Sequence, residues 1–278
     1  MGALVTNQGC ARAGAQSSQT STIYSASRFV QTLAADDRSV AFAATDTNLG
    51  SPVNEFDVAF TTATRSGQTI SAVGTIPAGS GNFAERRISS HDDTPANVTG
   101  SSNTLFAGVD SQLINKTADY AEQITLNYIF IMVAGTPVNP AWVVNQGLQR
   151  IGVQTFQATS GSGPTYNVNR QVQTGSICDQ ASAMGAATTT LGSPANEFDV
   201  VLDSTPTISG QTVAHVFTVP TGSGNFTAKW VNLHDDTAAN VTGSSSTVVS
   251  GIDINANSIL KTSDFADTYT INHIFSTQ

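Results

Sequence analysis

The sequence predicts an all-β chain made of two tandem homologous antiparallel β-sandwich domains. Three observations lead there. A long stretch of sequence occurs twice. Apolar residues alternate with a period of two and show no helical period. Charged residues make up only 11% of the 278 residues, with Gly, Ser, Thr, Asn and Ala in their place. A globular chain normally carries about a quarter charged residues, and β-branched residues in alternating runs favour thin strands over disorder.

The repeat is read directly from the chain. Leu49-Gly50-Ser51-Pro52-Val53-Asn54-Glu55-Phe56-Asp57-Val58 returns as Leu191-Gly192-Ser193-Pro194-Ala195-Asn196-Glu197-Phe198-Asp199-Val200. Gly79-Ser80-Gly81-Asn82-Phe83 returns as Gly222-Ser223-Gly224-Asn225-Phe226, and His91-Asp92-Asp93-Thr94 as His234-Asp235-Asp236-Thr237. Lys116-Thr117-Ala118-Asp119-Tyr120 returns as Lys261-Thr262-Ser263-Asp264-Phe265. Asn7-Gln8-Gly9 matches Asn145-Gln146-Gly147 near the front of each copy. The expected organisation is a sandwich over 1–133, a stiff extended spacer over 134–140 with Pro137 and Pro140, and a second sandwich over 141–278.

Within a copy, Phe56, Val58 and Phe60 share one face, as do Ile70, Ala72, Gly74 and Ile76. Leu105, Ala107 and Val109 follow, then Ile124, Leu126, Tyr128 and Phe130. Side chains two apart on a strand lie on one side of the sheet, so these are half-buried antiparallel strands separated by Gly, Pro, Asn and Asp turns. A short helical turn is expected near Asn7–Gly14.

Net charge is −9, with no block of like charge. Nucleic-acid binding needs a basic footprint, and none is present. Arg86-Arg87, opposite Lys229-Trp230 in the second copy, reads as an exposed strand edge. No apolar run is long enough to span a membrane, and no secretory leader is seen after Met1, so folding in a cytoplasm is expected. Cys10 aligns with Leu148 and reads as a small buried hydrophobe. Cys178 aligns with Asp36 or Ala35, which leaves its burial open. No metal-type cysteine spacing occurs.

His91, Asp92 and Asp93, with His234, Asp235 and Asp236, are the candidates for a metal site, and Asp110 and Asp253 are available as third carboxylates. Neighbouring strand residues face opposite ways and the oxygen-ligand spacing of a calcium loop is missing. The alternative is a hydrogen-bonding Asx turn, and no metal or cofactor is assigned. His215 and His273 align with Ala72 and Tyr128 and read as packed strand residues. No serine has the setting of an activated nucleophile, so no catalytic residue is assigned and the chain is not expected to be an enzyme. The Gly-Ser-Gly-Asn-Phe segments read as tight turns, not phosphate loops. Asn97-Val98-Thr99, Asn115-Lys116-Thr117 and Asn225-Phe226-Thr227 fit the glycosylation sequon, without consequence in a cytoplasm. Lys116 and Lys261 read as structural, each pairing with the aspartate three residues on or with a loop carbonyl; the alternative is an interface anchor.

The order of these segments resembles a diffuse family of tailed-bacteriophage virion structural proteins. Leu4-Val5-Thr6-Asn7-Gln8-Gly9 opens the first copy, followed by Ser66-Gly67-Gln68-Thr69, Thr104-Leu105-Phe106-Ala107, Lys116-Thr117-Ala118-Asp119 and Ile124-Thr125-Leu126-Asn127-Tyr128-Ile129-Phe130. Val143-Val144-Asn145-Gln146-Gly147-Leu148 and Ile271-Asn272-His273-Ile274-Phe275 bracket the second. Cys10 and the His-Asp-Asp loops depart from the pattern. The resemblance implies a capsid decoration (cement) protein on the outer shell of the virion, assembled in the host cytoplasm. Its implied partners are the major capsid protein and itself, as a homo-oligomer such as a trimer. The alternative reading is a tail, collar or baseplate/fibre component touching the tail or host surface, where an exposed Trp142 or Trp230 would serve as a glycan platform. No nucleic acid, membrane, cofactor or active-site residue is implied.

Overall fold

The computed structural model describes residues 4–6, 9, 13, 29–66, 69–129, 132–135, 140–143, 151, 155, 160–162, 171–209 and 212–275. These residues form an all-β structure in which nearly every strand pairing is antiparallel.

The first sheet contains β1 (Leu4–Val5), β2 (Thr32–Asp36), β3 (Glu55–Ser66), β4 (Thr69–Ile76), β5 (Phe83–His91), β6 (Leu105–Lys116) and β7 (Glu122–Ile129) in the order β1-β6-β5-β2-β3-β4-β7. The next elements along the chain are β8 (Met132–Gly135), β9 (Pro140–Val143), β10 (Ser160–Ser162), β11 (Thr174–Cys178), β12 (Glu197–Val201), β13 (Thr207–Ser209), β14 (Thr212–Val219), β15 (Phe226–Ala228), β16 (Trp230–His234), β17 (Val248–Asp253), β18 (Ile259–Lys261) and β19 (Asp267–Phe275). The second sheet runs β12-β11-β16-β17-β9-β8-β19-β14-β13, and β15 with β18 makes a separate two-stranded ribbon.

Registers recur between the sheets. Thr32 faces His91 as Thr174 faces His234. Leu4 faces Gly108 as Trp142 faces Gly251. Positive φ angles fall at Gly50-Ser51 and again at Gly192-Ser193. Around these shared pairings the sheets differ in two ways. β3 is one long strand with an irregularity between Phe60 and Thr62, whereas its counterpart is split into β12 and β13. Pro206 lies in that break, where a residue without an N–H cannot continue a ladder. β12 and β13 are the two ends of the second sheet yet are joined by only Leu202–Pro206, so this sheet curls almost into a barrel. The second difference is at the other rim. β8 lies between β9 and β19, antiparallel to both. The first sheet has no described strand between β1 and β7, the equivalents of β9 and β19.

The flanks of the expected spacer are therefore paired strands. Ala134 faces Ala141 and Gly135 faces Pro140 in a hairpin built into the second sheet. Only 136–139 could act as a free spacer, and they lie outside the described residues. The two repeats also make direct contact. β10 adds to β3 in parallel, and the Val30 N–H donates to the Thr155 carbonyl at 2.9 Å. One hydrophobic cluster includes Leu33, Ala72, Ile76 and Phe106 from the first repeat and Ile177, Phe217, Leu233 and Ile271 from the second. Burying each such side chain contributes roughly 1.5–3 kcal/mol.

Alternation shows where a strand has one wet face. β14 alternates half-buried and buried residues along its whole length. The central strands β2, β11 and β16 are buried at every position, because each has a strand on both sides and cover on both faces. Of the helical turn expected near Asn7–Gly14 only Gly9 and Ala13 are described, both in helical conformation like Ile151 and Thr155, and the rest lies outside the described residues. Thr6 Oγ1 accepts the Gly9 N–H at 3.0 Å.

Candidate functional site

His91 ends β5 and His234 ends β16, both fully buried. His91 Nε2 engages Ser89 Oγ at 2.9 Å and Nδ1 engages Thr104 Oγ1 at 2.9 Å. His234 makes the same contacts with Ser176 at 2.8 Å and Thr247 at 2.9 Å. The serine comes from the same strand in one repeat and from the neighbouring strand in the other. The second carboxylate after each histidine binds within its own loop. Asp93 Oδ1 accepts the Thr94 N–H and an Asn97 amide hydrogen at 2.8 and 2.9 Å, and Asp236 does the same with Thr237 and Asn240. Asp92 and Asp235 are also buried, each donating its backbone N–H to a threonine carbonyl, Thr104 or Thr247. Asp110 and Asp253 sit further along their strands, accepting the N–H groups of Phe42 and Met184. The His-Asp-Asp segments are thus buried imidazole hubs followed by Asx turns. Among the described residues no group of three or more His, Cys, Asp or Glu side chains is placed to hold a metal ion.

Lys116 and Lys261 are also buried. Lys116 Nζ donates to the Thr117 and Tyr120 carbonyls, at 2.5 and 2.7 Å. Lys261 Nζ donates to those of Thr262 and Phe265, both at 2.5 Å. Loop carbonyls are thus the main partners, and the carboxylate near Lys261 is Asp267 at 3.7 Å, six residues on instead of three. Burial removes the lysines themselves from any interface. What they hold is a tight loop whose aromatic tip faces solvent: Tyr120 is 42% exposed and Phe265 69%, with Leu260 beside it at 67%. The Gly-Ser-Gly-Asn turn braces the same loop. Asn82 Oδ1 accepts the Ala118 N–H, and Asn225 Oδ1 accepts that of Ser263, both at 2.7 Å. Gly79, Gly81, Gly222 and Gly224 all have φ between 82° and 93° with open space around them. The backbone conformation, not crowding, therefore requires glycine there.

A third repeated cluster has an obvious sequence signal that went unread: two acids at i and i+2 share one face of a strand. Glu55 and Asp57 are hydrogen-bonded to each other on β3, as are Glu197 and Asp199 on β12. Burial, then the adjacent glutamate, pushes Asp57 and Asp199 up to about 8. Gly100 and Gly243 close over these pairs. A Cβ at either would lie 2.8 Å from the preceding turn's Pro-Ser backbone and ring atoms.

Asp36 and Arg87 correct the reading of Arg86-Arg87 as a strand edge. β5 lies between β6 and β2, so only Arg86 points outward. Arg87 is 1% exposed and binds Asp36 through Nε at 3.0 Å and Nη2 at 2.9 Å. Its Nη2 also donates to the Leu49 carbonyl, which accepts Arg38 Nη1 at 2.7 Å as well. In the second repeat Cys178 faces Trp230 in the same register, which settles the alignment of Cys178 with Asp36. Cys178 is buried with Met184, Leu191 and Trp230, and burial pushes its thiol up to about 12. Gln180 takes the place of Arg38 and donates to the Leu191 carbonyl at 2.8 Å. Trp230 is 2% exposed and its indole N–H donates to the Ser182 carbonyl, so it offers no glycan platform. The Trp142 side chain and Cys10 lie outside the described residues. His215 and His273 pack inside the second sheet as expected, ring centroids 4.6 Å apart.

With the geometry in view, the chain was compared with known proteins. No family model, no curated protein and no solved structure matches it.

Proposed function

We propose that the chain is a non-enzymatic structural protein of a tailed-bacteriophage virion, a capsid decoration protein that braces the major capsid shell. The observation that carries this reading is the pair of locked loops. Each repeat holds a short loop rigid with a buried lysine and sets an aromatic side chain at its exposed tip, Tyr120 in one and Phe265 in the other. Rigid aromatic tips on polar surroundings are favoured contact anchors, since little side-chain entropy is lost on docking.

Two further features support the reading. The titratable clusters that both repeats share are turned inward and spent on internal hydrogen bonds, which suits a scaffold. Two similar loops per chain, multiplied by shell symmetry, give avidity from contacts that are weak one at a time. A trimer of the chain would set six similar repeats around one axis.

The test is binding of the purified full chain to phage particles stripped of it. Saturation in fixed proportion to shell subunits is expected. Phe265→Ser should weaken binding while leaving the melting temperature unchanged, whereas Tyr120→Ser should lower both, since the Tyr120 hydroxyl also donates to the Asn115 carbonyl at 3.0 Å. Saturation at about a dozen sites per particle would instead favour the tail, collar or baseplate reading.

A further inference from the structure

Unlike the shared clusters, one charged feature belongs to the first repeat alone. A cavity of about 190 Å³ opens beside the Asp36–Arg87 pair, lined by Arg38, Ser39, Ala41, Arg86, Arg87, Asp110 and Ser111. In the second repeat the positions of Arg38, Arg86 and Arg87 are held by Gln180, Lys229 and Trp230, so three cations become one.

The charges in the cavity are not all equally committed. Arg87 is neutralised by Asp36 and held by the Leu49 and Val40 carbonyls. Asp110 accepts the Phe42 N–H with both oxygens, at 3.1 and 3.3 Å. Arg38 uses Nη1 on the Leu49 carbonyl, which leaves other guanidinium N–H groups available. Arg86 is exposed and makes no ion pair among the described residues. Ser111 Oγ is cut off from solvent and has no hydrogen-bond partner among the described residues. Its burial keeps that hydroxyl out of reach of anything in the cavity, which leaves Arg38 and Arg86 as the donors of the wall with N–H groups free among the described residues.

We propose that this cavity is a binding site for a small oxyanion. Arg86 and the spare N–H groups of Arg38 donate charge-assisted hydrogen bonds to it. Guanidinium groups match the spacing of two oxygens on one carboxylate or phosphate. At about 190 Å³ the cavity has room for such a group. The ligand is therefore inorganic phosphate or sulfate, or the carboxylate of an acidic side chain offered by a partner protein. The Asp110 carboxylate opposes binding and keeps the site weak for a free ion. The site does not depend on the virion reading, since its evidence is confined to this cavity.

The test uses the full chain, with inorganic phosphate and succinate as probes, titrated against backbone amide chemical shifts at constant ionic strength. Expected are saturable shifts at Ser39, Arg86 and Ser111. Arg86→Gln should weaken binding about tenfold or more, the loss expected for a charge-assisted bond. Asp110→Asn should tighten it, and Lys229→Gln in the second repeat should change nothing. Saturation by phosphate alone identifies an inorganic ligand; saturation by succinate as well identifies a carboxylate carried by a partner. No saturable shift with either probe, or equal affinity in Arg86→Gln, overturns the proposal.

Discussion

Asp36 and Arg87 form a two-pronged ion pair wholly out of solvent, and Cys178 faces Trp230 at the same register in the second sheet. One position in the scaffold is thus filled by charge in one repeat and by apolar packing in the other. The surroundings changed together. Phe42, whose ring lies 4.4 Å from the Arg87 guanidinium carbon, corresponds to Met184 packed with Trp230, and Arg38 corresponds to Gln180. Charged and apolar solutions of similar volume at a buried site can be close in stability, whereas half of a buried pair is costly.

The first prediction follows from that asymmetry. Arg87→Ala should destabilise the first repeat by about 3–5 kcal/mol, because Asp36 is left buried without its partner. Asp36→Cys with Arg87→Trp and Phe42→Met should recover most of the loss. Chemical denaturation of the single and combined variants measures the coupling. A combined variant as unstable as Arg87→Ala would show that the two repeats are not interchangeable here.

Stability should fall between pH 6.5 and 8. Asp57 and Asp199 are raised to about 8 and Glu85 to about 7, in each case chiefly by burial. A carboxyl raised above its unfolded value contributes stability in full below that value and loses it as pH rises through the folded one. His215 and His273 are shifted down by burial, so they penalise the fold only as pH drops below about 6.5. Above that pH the carboxyls act without this opposition. Asp57→Asn with Asp199→Asn should flatten the melting temperature across the window, and an unchanged slope would contradict the shared-proton pairs.

Zinc or calcium should leave the melting temperature unchanged. Both ring nitrogens of His91 and His234 engage hydroxyl groups, and Asp93 and Asp236 are turned into their own loops. His91→Ala should instead destabilise by about 1–3 kcal/mol, as Ser89 and Thr104 lose their partner. A metal-induced rise that disappears in His91→Ala and His234→Ala would restore the metal reading.

Lys261→Met should loosen the loop it holds. It strips the part-buried Thr262 and Phe265 carbonyls of their buried donor, at up to about 1–3 kcal/mol for each group left unsatisfied. Hydrogen exchange at Ser263 and Gly222, which are hydrogen-bonded to each other across this loop, should quicken in the variant. Unchanged exchange would mean that the turn holds itself.

The sequence made some of this legible and concealed the rest for physical reasons. β4 and β7 announced themselves by alternation because each has a wet face. β2, β11 and β16 carried no period, since a strand covered on both sides has no polar face to alternate with. Arg87 read as surface because lone arginines seldom lie inside; only its facing residue Asp36, distant in sequence, explains its burial. Lys116 and Lys261 were recognised as structural, but the carbonyls they bind depend on the loop's path. The adhesion of the two repeats through β10 and the shared core had no signal in either copy alone.

The central claim concerns where the chain works, and copy number tests it most directly. The proposed reading requires a phage that encodes the chain, and in purified particles of such a phage mass spectrometry measures the chain against the major capsid protein. Hundreds of copies per particle, in fixed ratio to the shell, are predicted. Absence of the chain from purified particles would contradict the account.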